Sequence, residues 1–154
     1  MHFSLLLISN GQSPDEMLDP FFEENEVEQD EDGYWYNPDA KWDWYQIGGR
    51  WYGHLEATDG RHGERSWFGP DGPDESGHYD IALVSDLTKV PSDVYSVLDP
   101  FGEWHDCETF REDLANDEHP FGQFVKDEHW SDEFEERFIK PYQNCTAYLI
   151  DYHI

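Results

Sequence analysis

Met1-His2-Phe3-Ser4-Leu5-Leu6-Leu7-Ile8-Ser9 opens the chain and Cys145-Thr146-Ala147-Tyr148-Leu149-Ile150-Asp151-Tyr152-His153-Ile154 closes it. The first run lacks the basic flank of a signal peptide and is far too short to span a bilayer. It reads as a buried strand. The second alternates well enough to be another. As the two most apolar extended segments, they are expected to be neighbouring or central strands of one sheet. Helical signals lie between them, so the expected fold is α+β: one domain over residues 1–154, an antiparallel or mixed sheet with N- and C-terminal strands and two or three short helices.

Moving inward, Asn10-Gly11 is a turn dipeptide. Ser13-Pro14-Asp15-Glu16 then supplies a helix cap, a proline at the first helical position and a glutamate at the third. Further strand signals appear at Tyr79–Val84 and Val94–Leu98, the latter leading into a turn at Asp99-Pro100-Phe101-Gly102. Residues 56–79, with Asp59-Gly60 and Asp71-Gly72, read as an exposed loop or irregular hairpin. Two helices are expected downstream, over about Asp106–Leu114 and over Ser131–Ile139. In the second, Ser131 is the cap, Phe134 and Phe138 share the inner face, and Trp130 staples the start.

Charge narrows the partners. The 154 residues carry 36 Asp and Glu against 9 Lys and Arg, a formal charge of -27. Such a surface repels polyanions, which argues against direct binding to nucleic acid or to an anionic membrane. Twenty-six aromatic side chains exclude a disordered acidic tail and point to an acidic exterior around an aromatic interior. Two cysteines, Cys107 and Cys145, are no disulfide framework, and a reduced, cytoplasmic setting is expected.

Acid is concentrated in two runs. From Asp15 to Asp32 there are ten acidic residues and no basic one, among them Glu23, Glu24, Glu26 and Glu28. From Glu103 to Glu136 there are thirteen, including Glu112, Asp113, Asp132, Glu135 and Glu136, with only Arg111 and Lys126 against them. Rows of carboxylates at that density can imitate the phosphates of duplex DNA, and these nine residues are the candidate partner-binding surface. A solubilising face or adaptation to high salt gives the same composition.

The sharpest local pattern is Lys41-Trp42-Asp43-Trp44-Tyr45-Gln46-Ile47-Gly48-Gly49-Arg50-Trp51. Paired glycines permit positive φ or close backbone approach, and an arginine among rings can stack or grip an anion. Trp42, Asp43, Trp44, Arg50, His105 and His153 therefore form a candidate ligand pocket. The competing reading is an Asp43–Arg50 ion pair beneath a Trp/Tyr core. Eight histidines raise the question of a metal, with His105 and His153 the most suggestive. No spacing gives a His pair on a helix or a Cys-x-x-Cys clip, so ordinary hydrogen-bonded histidines are preferred. The sequence assigns no catalytic residue, no metal ligand and no cofactor, and a binding role is preferred to an enzymatic one.

Lys41 to Trp51 resembles a family of tailed-phage and prophage proteins with a Lys-Trp-Asp-Trp/Tyr-x-x-Gly-Gly-Arg-Trp core. Asp19-Pro20-Phe21-Phe22-Glu23-Glu24-Asn25 resembles that family's Pro-aromatic-acid-Glu-Asn segment, Gly102-Glu103-Trp104-His105 its Gly-x-Trp-His turn, and Asp151-Tyr152-His153-Ile154 its Asp-Cys-His-Ile ending, with Tyr152 in place of the cysteine. The resemblance implies a viral accessory gene and carries no activity with it. Joined to the charge, it leads to an expectation: an anti-restriction or anti-CRISPR type inhibitor in the host cytoplasm, occupying the basic surface of a host nucleic-acid-binding enzyme. The alternative is a nucleotide or small-ligand binding protein centred on residues 42–51.

Overall fold

The computed structural model describes residues 1–58 and 80–154. Ten strands are described: β1 His2–Ser9, β2 Glu28–Gln29, β3 Trp35–Tyr36, β4 Trp44–Ile47, β5 Ile81–Leu83, β6 Ser96–Leu98, β7 Trp104–Asp106, β8 Glu108–Arg111, β9 Gln123–Lys126 and β10 Thr146–His153. Helix α1 is Pro14–Leu18 and α2 is Trp130–Phe134. The latter continues through a π-helical stretch, Glu135–Ile139, into a 3-10 turn at Lys140–Tyr142.

The terminal strands are the middle of the molecule. β1 and β10 pair antiparallel along their whole length, from His2 opposite His153 to Ser9 opposite Thr146. The mixed sheet runs β4-β10-β1-β6-β7, with β5 also pairing β10, and only β1–β6 is parallel. The fold is α+β, as expected. Period-two alternation makes both faces of β1 apolar. Leu6 and Ile8 join Val97, Ala147, Leu149, Trp130, Phe134 and Phe138 on one side. Leu5 and Leu7 join Leu98, Ile150, Met17 and Leu18 on the other. Each leucine so buried contributes about 1.5–3 kcal/mol, which is why the two most apolar segments take the centre.

Capping explains α1: Ser13 Oγ accepts from the Glu16 amide at 3.2 Å and Pro14 occupies the first turn. In α2 the aromatic stripe decides. Trp130, Phe134 and Phe138 are buried, with ring centres 5.1–5.7 Å apart, so the expected inner face and staple are present. The helix starts one residue early, at Trp130, and Ser131 is not its cap.

The helix expected over 106–114 is absent. Those residues form β7, β8 and a 3-10 turn at Glu112–Leu114. Cross-strand pairing overrides the local helix-start signal: Thr109 lies opposite Val125 and Phe110 opposite Phe124, residue types that favour a pleated surface. The exposed loop expected from residue 56 is corrected at its start, since Ala57 is buried and bridges Leu87. The Asp59-Gly60 and Asp71-Gly72 turns and Tyr79 lie outside the described residues, whereas the turn after β6 is closed by the Gly102 amide on the Asp99 carbonyl at 3.0 Å. Cys107 and Cys145 are free thiols, and burial pushes both up from the usual thiol range.

Two hairpins stand off the main sheet. β2 pairs with β3, and β8 with β9. They correct the expectation of an aromatic interior. Tyr34 and Trp35 are 72% and 56% exposed on the first, and Phe121 and Phe124 are 84% and 63% exposed on the second.

Candidate functional site at one end of the sheet

The antiparallel register brings the end of β10 beside the start of β1 and the start of β4, and the parallel β1–β6 pair adds the start of β6 and the end of β7. Segments far apart in sequence therefore meet at one sheet end. Residues 19–25, 41–44, 48–50, 104, 106 and 151–153 all contribute.

On one face the meeting point is a polar aromatic network. The Asp106 carboxylate accepts from Ser96 Oγ at 2.5 Å and Trp104 Nε1 at 2.8 Å, and Lys41 Nζ lies 3.4 Å from its other oxygen. Ser96 Oγ also hydrogen-bonds Tyr152 OH at 2.7 Å. Trp104 packs edge-on against Tyr152, and Phe21 against Trp104. Trp42 donates from Nε1 to the Leu18 carbonyl, stacks on Phe22 and meets Tyr45 edge-on. Burial raises the Tyr152 phenol well above its usual range, although the Ser96 hydrogen bond works the other way. Burial, reinforced by the Glu108 carboxylate, does the same to Tyr95.

On the opposite face lie two carboxylate–imidazole pairs. Asp151 is 1% exposed, and its oxygens accept from His2 Nδ1 at 2.7 Å and from the Arg50 amide at 3.0 Å. Asp43 accepts from His153 Nδ1 at 2.8 Å. The two imidazole centres are 5.1 Å apart, and Trp44 meets His2 edge-on.

Gly48 and Gly49 adopt φ of +76° and +52°. A side chain is excluded at both positions: a Cβ on Gly48 would lie 2.5 Å from Asp80 Oδ2, and one on Gly49 2.5 Å from Asp151 Oδ2. Asp80 is itself buried and accepts from the Gly53 amide. The glycine pair thus lets the backbone pass between two buried aspartates. The expected ion pair beneath the aromatic rings is replaced by this arrangement. Asp43 and Arg50 are both at the surface, and the buried acid at the turn is Asp151.

Of the six candidate pocket residues, the structure gathers Trp42, Asp43, Trp44, Arg50 and His153 at this end. His105 stands apart on the outer strand β7, with Nε2 2.9 Å from Asp99 Oδ2 and its ring against Phe138. Asp99, Glu103 and His105 each bring a donor atom within 4.8 Å of the others. The same Asp99 carboxylate accepts from the Phe101 and Glu103 amides, which accounts for the cluster as the closure of a turn. His2 and Asp151 were missed as site residues. Inside apolar runs their only signal was polarity on strands otherwise read as core.

The nine candidate partner-binding acids, Glu23, Glu24, Glu26, Glu28, Glu112, Asp113, Asp132, Glu135 and Glu136, are all exposed. Asp113 is held by Arg111 and Glu136 by Lys140. The Arg111 guanidinium draws the Asp113 carboxyl below its usual range. No helix among the described residues is long and apolar enough to cross a membrane. Comparison with protein families, with characterised proteins and with solved structures finds no match for this chain.

Proposed function

We propose that this chain is an acidic protein ligand that occupies the basic, nucleic-acid-binding groove of a partner protein, in the manner of a phage-encoded inhibitor of a host defence enzyme. The observation that carries this reading is the imbalance of the exposed charge. All nine singled-out acids face solvent, and apart from Asp113 and Glu136, which Arg111 and Lys140 hold, none has an ion-pair partner among the described residues, whereas Lys41, Arg111, Arg137 and Lys140 are already paired with carboxylates of this chain. Uncompensated carboxylates attract a basic surface and repel nucleic acid. The two hairpins add exposed rings among those acids: Tyr34, Trp35 and Tyr36 on one, and Phe110, Phe121 and Phe124 on the other. Carboxylates beside aromatic faces offer what a nucleic-acid groove recognises, negative charge with π-surfaces that Arg and Lys can cover.

The test begins with capture of partners from host lysate, followed by competition against duplex DNA for the captured protein. Direct binding of wild type to the captured protein should weaken as salt rises, because its carboxylates neutralise the Lys and Arg side chains that DNA also neutralises. Changing Glu112 and Glu135–Glu136 to Gln and Asp113 to Asn should lower potency at least tenfold at low salt while leaving the fold intact. Equal potency of the two proteins, or direct binding indifferent to salt, would refute the proposal.

A further inference from the structure

We infer that His2 and His153 form a binding site for one divalent transition-metal ion of the zinc class. The two residues face each other directly in the β1–β10 ladder, so their side chains leave the same face of the sheet. Each ring is fixed by a carboxylate at Nδ1, Asp151 Oδ1 for His2 at 2.7 Å and Asp43 Oδ1 for His153 at 2.8 Å. An ionised carboxylate can only accept, so each neutral imidazole carries its proton on Nδ1 and presents a bare lone pair at Nε2. Neither Nε2 has a hydrogen-bond partner among the described residues. Carboxylate-anchored imidazoles with Nε2 free are the arrangement that metal-ligating histidines adopt, the anchor setting both tautomer and ring direction.

The separation of the rings fits one ion shared between them. With metal–nitrogen bonds near 2.0–2.1 Å and tetrahedral angles, two imidazoles sharing one ion through Nε2 have centres roughly 5 Å apart. Here they are 5.1 Å apart, at an interplanar angle of 71°. Both rings are reachable, the His2 and His153 side chains being 23% and 38% exposed. Asp151 and Asp43 supply the negative charge that offsets the ion. Imidazole nitrogen selects zinc, copper, nickel or cobalt over magnesium and calcium, which prefer all-oxygen sites. Two protein ligands leave the remaining tetrahedral positions to water or to a donor atom of a bound molecule.

The experiment uses the untagged full chain, since a polyhistidine tag would bind the probe. Zn²⁺ is titrated in competition with a chromophoric chelator under excess Mg²⁺, which saturates the acidic surface, and Co²⁺ is added separately to read the visible absorption of tetrahedral coordination. The expected result is one equivalent of Zn²⁺. Its affinity should fall at least tenfold in His2→Ala and in His153→Ala and roughly tenfold in Asp43→Asn, which keeps both ligands but loses an anchor. His105→Gln and the double variant His119→Gln/His129→Gln should bind as wild type does. Wild type that binds no Zn²⁺ beyond the Mg²⁺-displaceable fraction overturns the site, as does binding that follows His105 or His119/His129. If His153→Ala does not fold, Asp43→Asn decides, because Asp43 is exposed and its amide preserves the shape: unchanged affinity there overturns the inference.

Discussion

The centre of the sheet and the hairpin β8–β9 are built from the same kinds of residue with opposite outcomes. In β1 and β10 the apolar side chains are covered on both faces, by α1 on one and by the Trp130-Phe134-Phe138 stripe on the other. In β8–β9, Phe110 and Phe124 lie opposite each other, with ring centres 5.1 Å apart, yet Phe124 and the neighbouring Phe121 remain largely exposed. Strand pairing stabilises both regions, but only the first has a layer to pack against. An aromatic residue is therefore no marker of the core in this chain. What marks the core is whether both neighbours of its strand are themselves strands, as they are for β1 and β10 and are not for β8.

The largest expected effect lies on the central side of that comparison. Gly49→Ala places a Cβ 2.5 Å from the buried Asp151 carboxylate at a backbone φ of +52°. The left-handed conformation alone costs about 1–2 kcal/mol for a residue with a Cβ. Displacing a buried acid from its hydrogen bonds adds about 1–3 kcal/mol. We expect chemical denaturation to show a loss of about 3 kcal/mol. A loss below about 1 kcal/mol would mean that the glycine pair is an ordinary turn rather than the passage between Asp80 and Asp151.

A smaller effect concerns Tyr152 at the junction of β10 with the aromatic network. Its phenol is raised in the folded protein, chiefly by burial, so the folded state holds a proton that the unfolded state releases near pH 10. Where the unfolded chain binds fewer protons, stability falls with rising pH. Its contribution is fully present below the unfolded value of about 10 and is lost progressively as the pH climbs from there towards the raised folded value. Thermal melts between pH 8 and pH 11 should show a steeper alkaline decline in wild type than in Tyr152→Phe. Parallel curves for the two proteins would contradict the buried-phenol account.

The legibility of the molecule follows the same division. The terminal strands were readable because apolar runs of eight residues have few places to go, and their neighbourhood followed from each needing cover on both faces. Helix α2 was readable from Phe134 and Phe138 four residues apart, and α1 from the Ser13–Glu16 cap. Residues 106–114 misled because Asp106, Glu112 and Asp113 look like helix-start and helix-surface residues. Pairing of Thr109 and Phe110 with a strand fourteen to sixteen residues later is invisible to any local pattern. The site was half legible. Gly48-Gly49 and Asp43 stood out, but the partners of Asp43 and of the Gly49 turn are His153 and Asp151, about a hundred residues away. Only the β4–β10 register brings them together.

The smallest expected effect on stability is also the one that separates the two regions most sharply. Phe121 and Phe124 flank an open groove of about 480 Å³ shared with Phe110, His119 and Pro120. Because both are mostly in water already, Phe121→Ser/Phe124→Ser removes little buried area, and the unfolding free energy should stay within about 0.5 kcal/mol of wild type. If the hairpin is held out of the core to meet a basic partner, the same variant should lose at least tenfold in the competition against duplex DNA. The loss should persist at moderate salt, because an apolar contact is not screened as a carboxylate contact is. Loss of stability without loss of competition would place Phe121 and Phe124 in the fold, and the contrast between sheet and hairpin would dissolve. Unchanged stability with unchanged competition would leave the acids alone as the binding surface. Unchanged stability with weakened, salt-resistant competition is the outcome that ties the exposed rings to the partner and divides the chain into a region that folds and a region that binds.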